Sequence, residues 1–226
     1  MKQYLQQLHQ GFSGEFYFDD TPMHQGQLRA YSTDASVYEE KPLAVAMPKT
    51  EQDIVLLVQF ATKHAVTLIP RAAGTSLAGQ VVGNGIVVDS GKYLNEIIEL
   101  NVEEKWVRVQ PGVIRDDLNK FLQPHGLMFG PETSTANRAM IGGMVGNNSC
   151  GLHSIVWGSV RDHLLEAKVV LSDGSMVIVD KETSHLSQST NNPLLDNIKS
   201  KLFHLLQNDK HQKAIQDNFP KKTVSR

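Results

Sequence analysis

At 226 residues, with 22 basic and 24 acidic side chains giving a net charge of −2, the chain is long enough for one large domain or two small ones. No basic excess or charge block points to nucleic acid, and 7% aromatic residues offer no base-stacking surface. The single Cys150 excludes an internal disulfide and any iron–sulfur or zinc site built from cysteines of this chain alone, and no apolar run approaches the roughly 18 residues that a membrane span needs.

The N-terminal MKQYLQQLHQ lacks the apolar core of a secretory signal, so a cytoplasmic protein is expected. Residues 1–20 read as a short polar helix and then an aromatic stretch, Phe12, Phe16, Tyr17 and Phe18, within a packing arm over 1–38. Residues 43–47 read as a strand ended by Pro48. A helix follows, with Thr50 as N-cap, Asp53 as an imperfect capping box, and Ile54, Leu57, Val58 and Ala61 at helical spacing. Residues 66–69 form a strand closed by Pro70, and residues 86–89 another, so 39–100 is a small parallel βαβ-like half.

Beyond residue 100 the pattern changes. Residues 96–110 read as two antiparallel strands around a polar turn, with Trp106, Val107 and Val109 as β-formers. A helix over 113–122 follows, then strands 165–171 and 176–179 around an Asp173-Gly174 hairpin turn. A last helix spans 193–206, before a basic tail over 221–226. The fold class is therefore α+β: a small βαβ subdomain, then a larger antiparallel-sheet subdomain with flanking helices over 101–226. A ligand touched by both halves would lie in the cleft between them.

Two stretches, 71–91 and 130–151, hold ten of the 17 glycines and only four charged side chains, Arg71, Asp89, Glu132 and Arg138. A solvated linker would carry more charge; this composition suits backbone drawn around a ligand. A Rossmann fingerprint fails, because Val88 stands where the last glycine belongs after Gly83 and Gly85, and a strand follows instead of a helix. A Walker A loop fails too: five residues separate Gly85 from Gly91-Lys92, and Tyr93 replaces the magnesium-binding hydroxyl. What remains is an amide nest from Arg71 to Gln80, with Thr75 and Ser76 as hydroxyl donors and Arg71 at its mouth. The plain alternative is a tight turn between strands.

The segment PRAAGTSLAGQ at 70–80 resembles the pyrophosphate loop of the vanillyl-alcohol oxidase/p-cresol methylhydroxylase flavoproteins. GPETSTANRAMIGGMVGNNSCG at 130–151 resembles that family's second flavin-contacting segment. YSTDAS at 31–36, the lead into a helix at 48–54, and VQPGV at 109–113 fall in the expected order. Within the family the chain looks like the D-2-hydroxyacid dehydrogenase branch, which includes D-lactate dehydrogenases and the glycolate oxidase flavin subunit. NNSCGLHSIVWGSVRDH at 147–163 is similar to long members that carry a C-terminal iron–sulfur region.

The resemblance implies FAD in a PCMH-type fold, seated in the cleft. By position, Arg71, Ala72, Ala73, Gly74, Thr75, Ser76, Gly79 and Gln80 would bind the pyrophosphate. Pro131, Glu132, Thr133 and Ser134 would lie against the isoalloxazine and ribityl. Ile141, Gly142 and Gly143 would let the backbone close on the cofactor, and a side chain at Gly142 or Gly143 would project into whatever the loop holds. Gly146, Asn147, Asn148, Ser149 and Gly151 would continue that wall. Some relatives tether flavin through a first-loop histidine; Thr75 stands there, and Cys150 lies outside the tethering segment, so noncovalent FAD is expected.

The resemblance also implies oxidation of a lactate- or glycolate-like D-2-hydroxyacid by hydride transfer to flavin N5. Substrate would meet a cap domain not in this chain, electrons would pass to iron–sulfur clusters in the full-length protein, and the site would be cytoplasmic or peripheral to the inner membrane. No catalytic residue and no metal ligand is assigned. The same FAD domain could serve another alcohol-type substrate, and a non-redox nucleotide-binding module is the third reading. Cys150 and His153 form a C-x-x-H pair with too few partners for a metal, and Gly158-Ser159 lacks a nucleophile-elbow context.

Overall fold

The computed structural model describes residues 1–219, which form two compact units, the first over residues 1–162 and the second beginning at His163. The basic tail over 221–226 lies outside the described residues.

The first unit is built on a four-stranded sheet of β1 (Glu15–Tyr17), β2 (Ala44–Met47), β3 (Leu68–Arg71) and β4 (Ile86–Asp89), in the order β1-β2-β4-β3. Both β2 and β3 run parallel to β4, as the βαβ reading requires, while β1 closes the far edge antiparallel to β2. All four residues of β2 are buried, because apolar layers cover both faces of the sheet. On one face Ala44, Ala46, Ile86 and Val88 meet Leu5, Leu8, Phe12, Phe16, Leu57 and Phe60. These come from α1 (Lys2–Gly11), β1 and its lead-in, and α3 (Glu51–His64). On the other face Val45, Met47, Ile69 and Val87 pack with Leu28 of α2 (Pro22–Ala30).

The N-terminal aromatics do more than pack: residues 15–17 are a strand, and Phe16 is 2% exposed. The helix α2 was not anticipated, because it buries only Leu28 and shows no clear apolar stripe. The α3 start is a full capping box, since Thr50 Oγ1 accepts from Asp53 N while Asp53 accepts from Thr50 N. Asp53 is buried and also accepts from Ser13 N, Ser13 Oγ and Lys49 N, which ties the α1–β1 turn to the helix. The third strand runs through Pro70 instead of stopping before it. It is an edge strand, where an imino acid that lacks an N–H is tolerated.

The remainder of this unit is the ribbon β5 (Ile97–Asn101)–β6 (Trp106–Val109), the helix α4 (Arg115–Leu122) and two short helices, α5 (Ile141–Gly146) and α6 (Ser154–Trp157). Val113, Leu118 and Leu122 form a small core against the β5–β6 ribbon, α4 and Ile141 at the start of α5. In the second unit β7 (Glu166–Val170) and β8 (Met176–Asp180) form the expected hairpin, with Gly174 at φ 86 in its turn. Helix α7 (Pro193–Gln207) is capped by Asn192 and is followed by α8 (Asp209–Asn218), which the sequence pattern did not announce because it buries no residue. The antiparallel strands thus form two separate ribbons instead of one sheet. No helix among the described residues is long and apolar enough to cross a membrane.

Candidate functional site

Both glycine-rich stretches belong to the first unit. The first leaves the C-terminal end of β3, where the parallel sheet ends and its last carbonyl, Arg71 O, accepts from Ser90 N at 3.0 Å. Among the described residues, none of the amides from Ala72 to Leu77 donates to an oxygen of the chain. A run of backbone donors without acceptors, partly buried over 72–76, is what an anion-binding nest presents. Gly74 at φ 64 and Gly79 at φ 70 adopt left-handed backbone that other residues rarely take.

The side chains of this loop divide its labour. Ser76 Oγ accepts from Ala78 N and Gln80 N and donates to Gln80 Oε1 at 2.9 Å, so this hydroxyl shapes the loop from within. Ala72 and Ala73 are partly covered, and no described partner holds the Thr75 hydroxyl. Residues 31–40 form a strap along the loop, closed on itself by the Thr33–Glu39 bridge and by Glu40 N to Ser32 O at 2.9 Å. Ala35 N donates to Gly74 O at 3.2 Å, and the Tyr38 ring sits so close to Gly79 that an added Cβ would lie 2.7 Å from it.

Arg71 is held by the same strap. Its Nη1 donates to Thr33 O at 2.7 Å, and its guanidinium lies 5.0 Å from the centre of the Tyr31 ring. Tyr31 OH in turn donates to Asp89 Oδ2, while Gly91 N donates to Asp89 Oδ1 at 2.7 Å. Burial and that bond to Asp89 push the Tyr31 hydroxyl well above its ordinary range, so it stays a donor. Tyr31, Thr33, Tyr38 and Asp89 carried no assignment from the sequence. The YSTDAS motif marked the place but not the role.

The second stretch is brought against the first at two places: a Cβ added to Gly143 would come within 2.9 Å of Ala72 Cβ, and one added to Gly91 within 2.5 Å of the Met140 side chain. Its helix α5 is set by the PGV turn, since Ile141 N donates to Val113 O at 2.9 Å and Gly142 N to Pro111 O at 2.8 Å. A Cβ on Gly142 would meet Pro111 at 2.5 Å. At Gly142 and Gly143, therefore, an added side chain would strike neighbouring protein atoms, so each glycine is what lets these segments pack closely. The amides of Ile141 and Gly142 are already used, whereas the Gly143 amide has no acceptor among the described residues. Gly146 faces open space.

The rest of the segment is stitched to itself. Arg115 Nε donates to the carbonyl of buried Pro131 at 3.1 Å, and Asn119 brackets Phe129 through Phe129 N and O. Thr133 O accepts from Ala136 N, and Ser134 is exposed. Glu132 Oε1 meets His153 N at 3.1 Å and His153 Nδ1 at 2.5 Å, and this pairing holds the Glu132 carboxyl below its usual range. An added Cβ on Gly151 would strike Glu132 O at 2.4 Å, so Gly151 lets these two strands of loop cross. Buried Ser149 bonds to Met144 O and receives Val160 N and the Asn147 amide, and Asn148 takes a left-handed φ of 46. No cluster of three metal-ligating side chains occurs among the described residues.

The sequence pattern of the FAD binding domain family matches residues 42–180, a span that includes both stretches. The chain is 36% identical over 224 residues to D-2-hydroxyglutarate dehydrogenase of Escherichia coli (strain K12), covering 96% of this chain and 21% of that protein. It is 34% identical over 167 residues to the glycolate oxidase subunit GlcD of Bacillus subtilis (strain 168), covering 73% of this chain and 35% of that subunit. The chain thus spans only about a fifth to a third of the length of these relatives. Among solved structures, an alkyldihydroxyacetonephosphate synthase superposes with a TM-score of 0.67 over 80% of this chain and 34% of that one, at 18% identity, a likeness of fold alone. The chain belongs to the FAD binding domain family, in the α+β PCMH-type flavoprotein fold, and FAD is the cofactor of that family.

Proposed function

We propose that this chain is the FAD-holding part of a dehydrogenase that oxidises a D-2-hydroxyacid of the lactate, glycolate or hydroxyglutarate kind. The observation that carries the site is the row of undonated amides from Ala72 to Leu77, with the Arg71 cation at its mouth and the Gly143 helix end against it. A pyrophosphate has the charge and the acceptor oxygens that such a row lacks. Residues 71–80 bind that group in this reading, and 131–134 with 143–151 line the flavin side. Gly142 serves by letting Pro111 pack closely. The substrate class follows the names of the relatives, D-2-hydroxyglutarate dehydrogenase and glycolate oxidase subunit.

When bound, the flavin supplies the hydride acceptor. The chain's own part is to hold the cofactor in place. Substrate contacts and the onward electron acceptor, an iron–sulfur centre in this reading, belong to further polypeptide. The FAD is held without a covalent bond. The test is a titration of FAD into the flavin-free chain: saturable quenching of flavin fluorescence is expected, and its absence refutes the reading. Saturable binding of ADP without any discrimination in favour of FAD would instead identify a non-redox nucleotide module.

A further inference from the structure

Arg71 and Asp89 are register partners on adjacent parallel strands, β3 and β4, yet they do not pair. Among the described residues Arg71 meets no carboxylate; its contacts are the Thr33 carbonyl, the Tyr31 ring and the Gly74 backbone, where an added Cβ would touch Nη2. The Asp89 carboxylate is occupied from two other sides, by the Tyr31 hydroxyl and the Gly91 amide. One aromatic side chain thus engages the cation with its face and the anion with its hydroxyl.

We propose that Tyr31 is a positioning residue that keeps Asp89 from capturing Arg71, so that the guanidinium stays available to the phosphate oxygens of the nest. The inference rests on the FAD reading of that nest. Its physical basis is simple. A neighbouring arginine and carboxylate form a bidentate pair when nothing else holds them, and a paired guanidinium binds phosphate poorly. Tyr31 stabilises both ions separately: a cation over a ring face needs no carboxylate, and a carboxylate that accepts a phenol and an amide needs no arginine. Arg71 then faces the ligand with its Nε and Nη2 donors uncommitted among the described residues.

The test compares four forms of the full chain by FAD titration at two ionic strengths, with tryptophan-monitored denaturation to establish that each form folds. Arg71→Ala should weaken FAD about tenfold and flatten the salt dependence, as the loss of one charge-assisted contact requires. Tyr31→Phe keeps the ring but frees Asp89, and should weaken FAD by a similar factor. The double variant Tyr31→Phe/Asp89→Asn, which has no carboxylate left to capture Arg71, should recover affinity to within about threefold of the parent. A merely structural role for Tyr31 predicts no such recovery. If Arg71→Ala weakens FAD but Tyr31→Phe does not, or if the double variant stays as weak as Tyr31→Phe, the positioning role is overturned while the nest stands. If Arg71→Ala leaves FAD affinity unchanged, the role of Arg71 in the nest falls, and this inference falls with it.

Discussion

The Gly143–Ala72 contact between the two glycine-rich stretches can be probed at a single methyl group. Gly143→Ala places a Cβ 2.9 Å from Ala72 Cβ, well inside the ordinary contact distance. Neither atom can rotate away, because a Cβ moves only with its backbone. Either α5 or the nest must shift. Overpacking of this kind costs about 1–3 kcal/mol, and the better helix propensity of alanine returns about 1 kcal/mol. The net loss should be about 0–2 kcal/mol. Gly146→Ala, in the same short helix, meets nothing within 4 Å and should be neutral or slightly stabilising. Trp106 and Trp157 both lie in the first unit, so tryptophan fluorescence during urea denaturation reads the unit that carries the contact. FAD affinity should fall with Gly143→Ala, about three- to tenfold, because the shift is transmitted to the Ala72 amide. The pair Gly143→Ala/Ala72→Gly moves the methyl from one side of the contact to the other and should recover most of the affinity. Were Gly143→Ala to behave like Gly146→Ala in both measurements, or the double variant to show no recovery, the two stretches would not meet as described.

Three further outcomes follow from other parts of the molecule. Lys92, Tyr17 and Tyr93 hydrogen-bond Glu15 and hold its carboxyl down at about 2. A depressed carboxylate stabilises the fold fully above its unfolded value of 4.5, and that contribution disappears as pH falls from 4.5 toward 2. With partial solvent screening it amounts to about 1–2 kcal/mol, so Glu15→Gln should remove that share of the acid sensitivity of urea midpoints; an unaltered pH profile would refute it. Asp53→Ala removes the acceptor of four hydrogen bonds at a buried helix start and should cost about 2–4 kcal/mol in the same denaturation assay, against less than 1 kcal/mol if the cap were only local. Acid precipitation of the FAD-loaded chain should leave all the flavin in the supernatant, and colour retained in the pellet would mean a covalent tether.

Local rules made much of this legible. Thr50 and Asp53 announce α3 three residues apart, and the Asp173-Gly174 turn fixes the β7–β8 hairpin, because both signals lie within the element they specify. The small residues of 71–80 suggest the proposed nest by the same kind of local signal. What escaped was long-range. Phe16 looked like part of an arm because nothing within residues 1–20 shows that β2, about thirty residues on, offers a free edge. At Gly142, composition shows that a Cβ is missing but not which neighbour packs into its place; that is Pro111. Tyr31 is the sharpest case. Its hydroxyl meets Asp89 58 residues away and its ring meets Arg71 40 residues away, and neither partner has a spacing that a periodic pattern could register. The chemistry of the nest is therefore written locally, while the availability of its one cation depends on a residue whose relation to it exists only after the sheet has formed. A substitution at position 31 should accordingly leave every recognisable motif intact and still weaken the cofactor site.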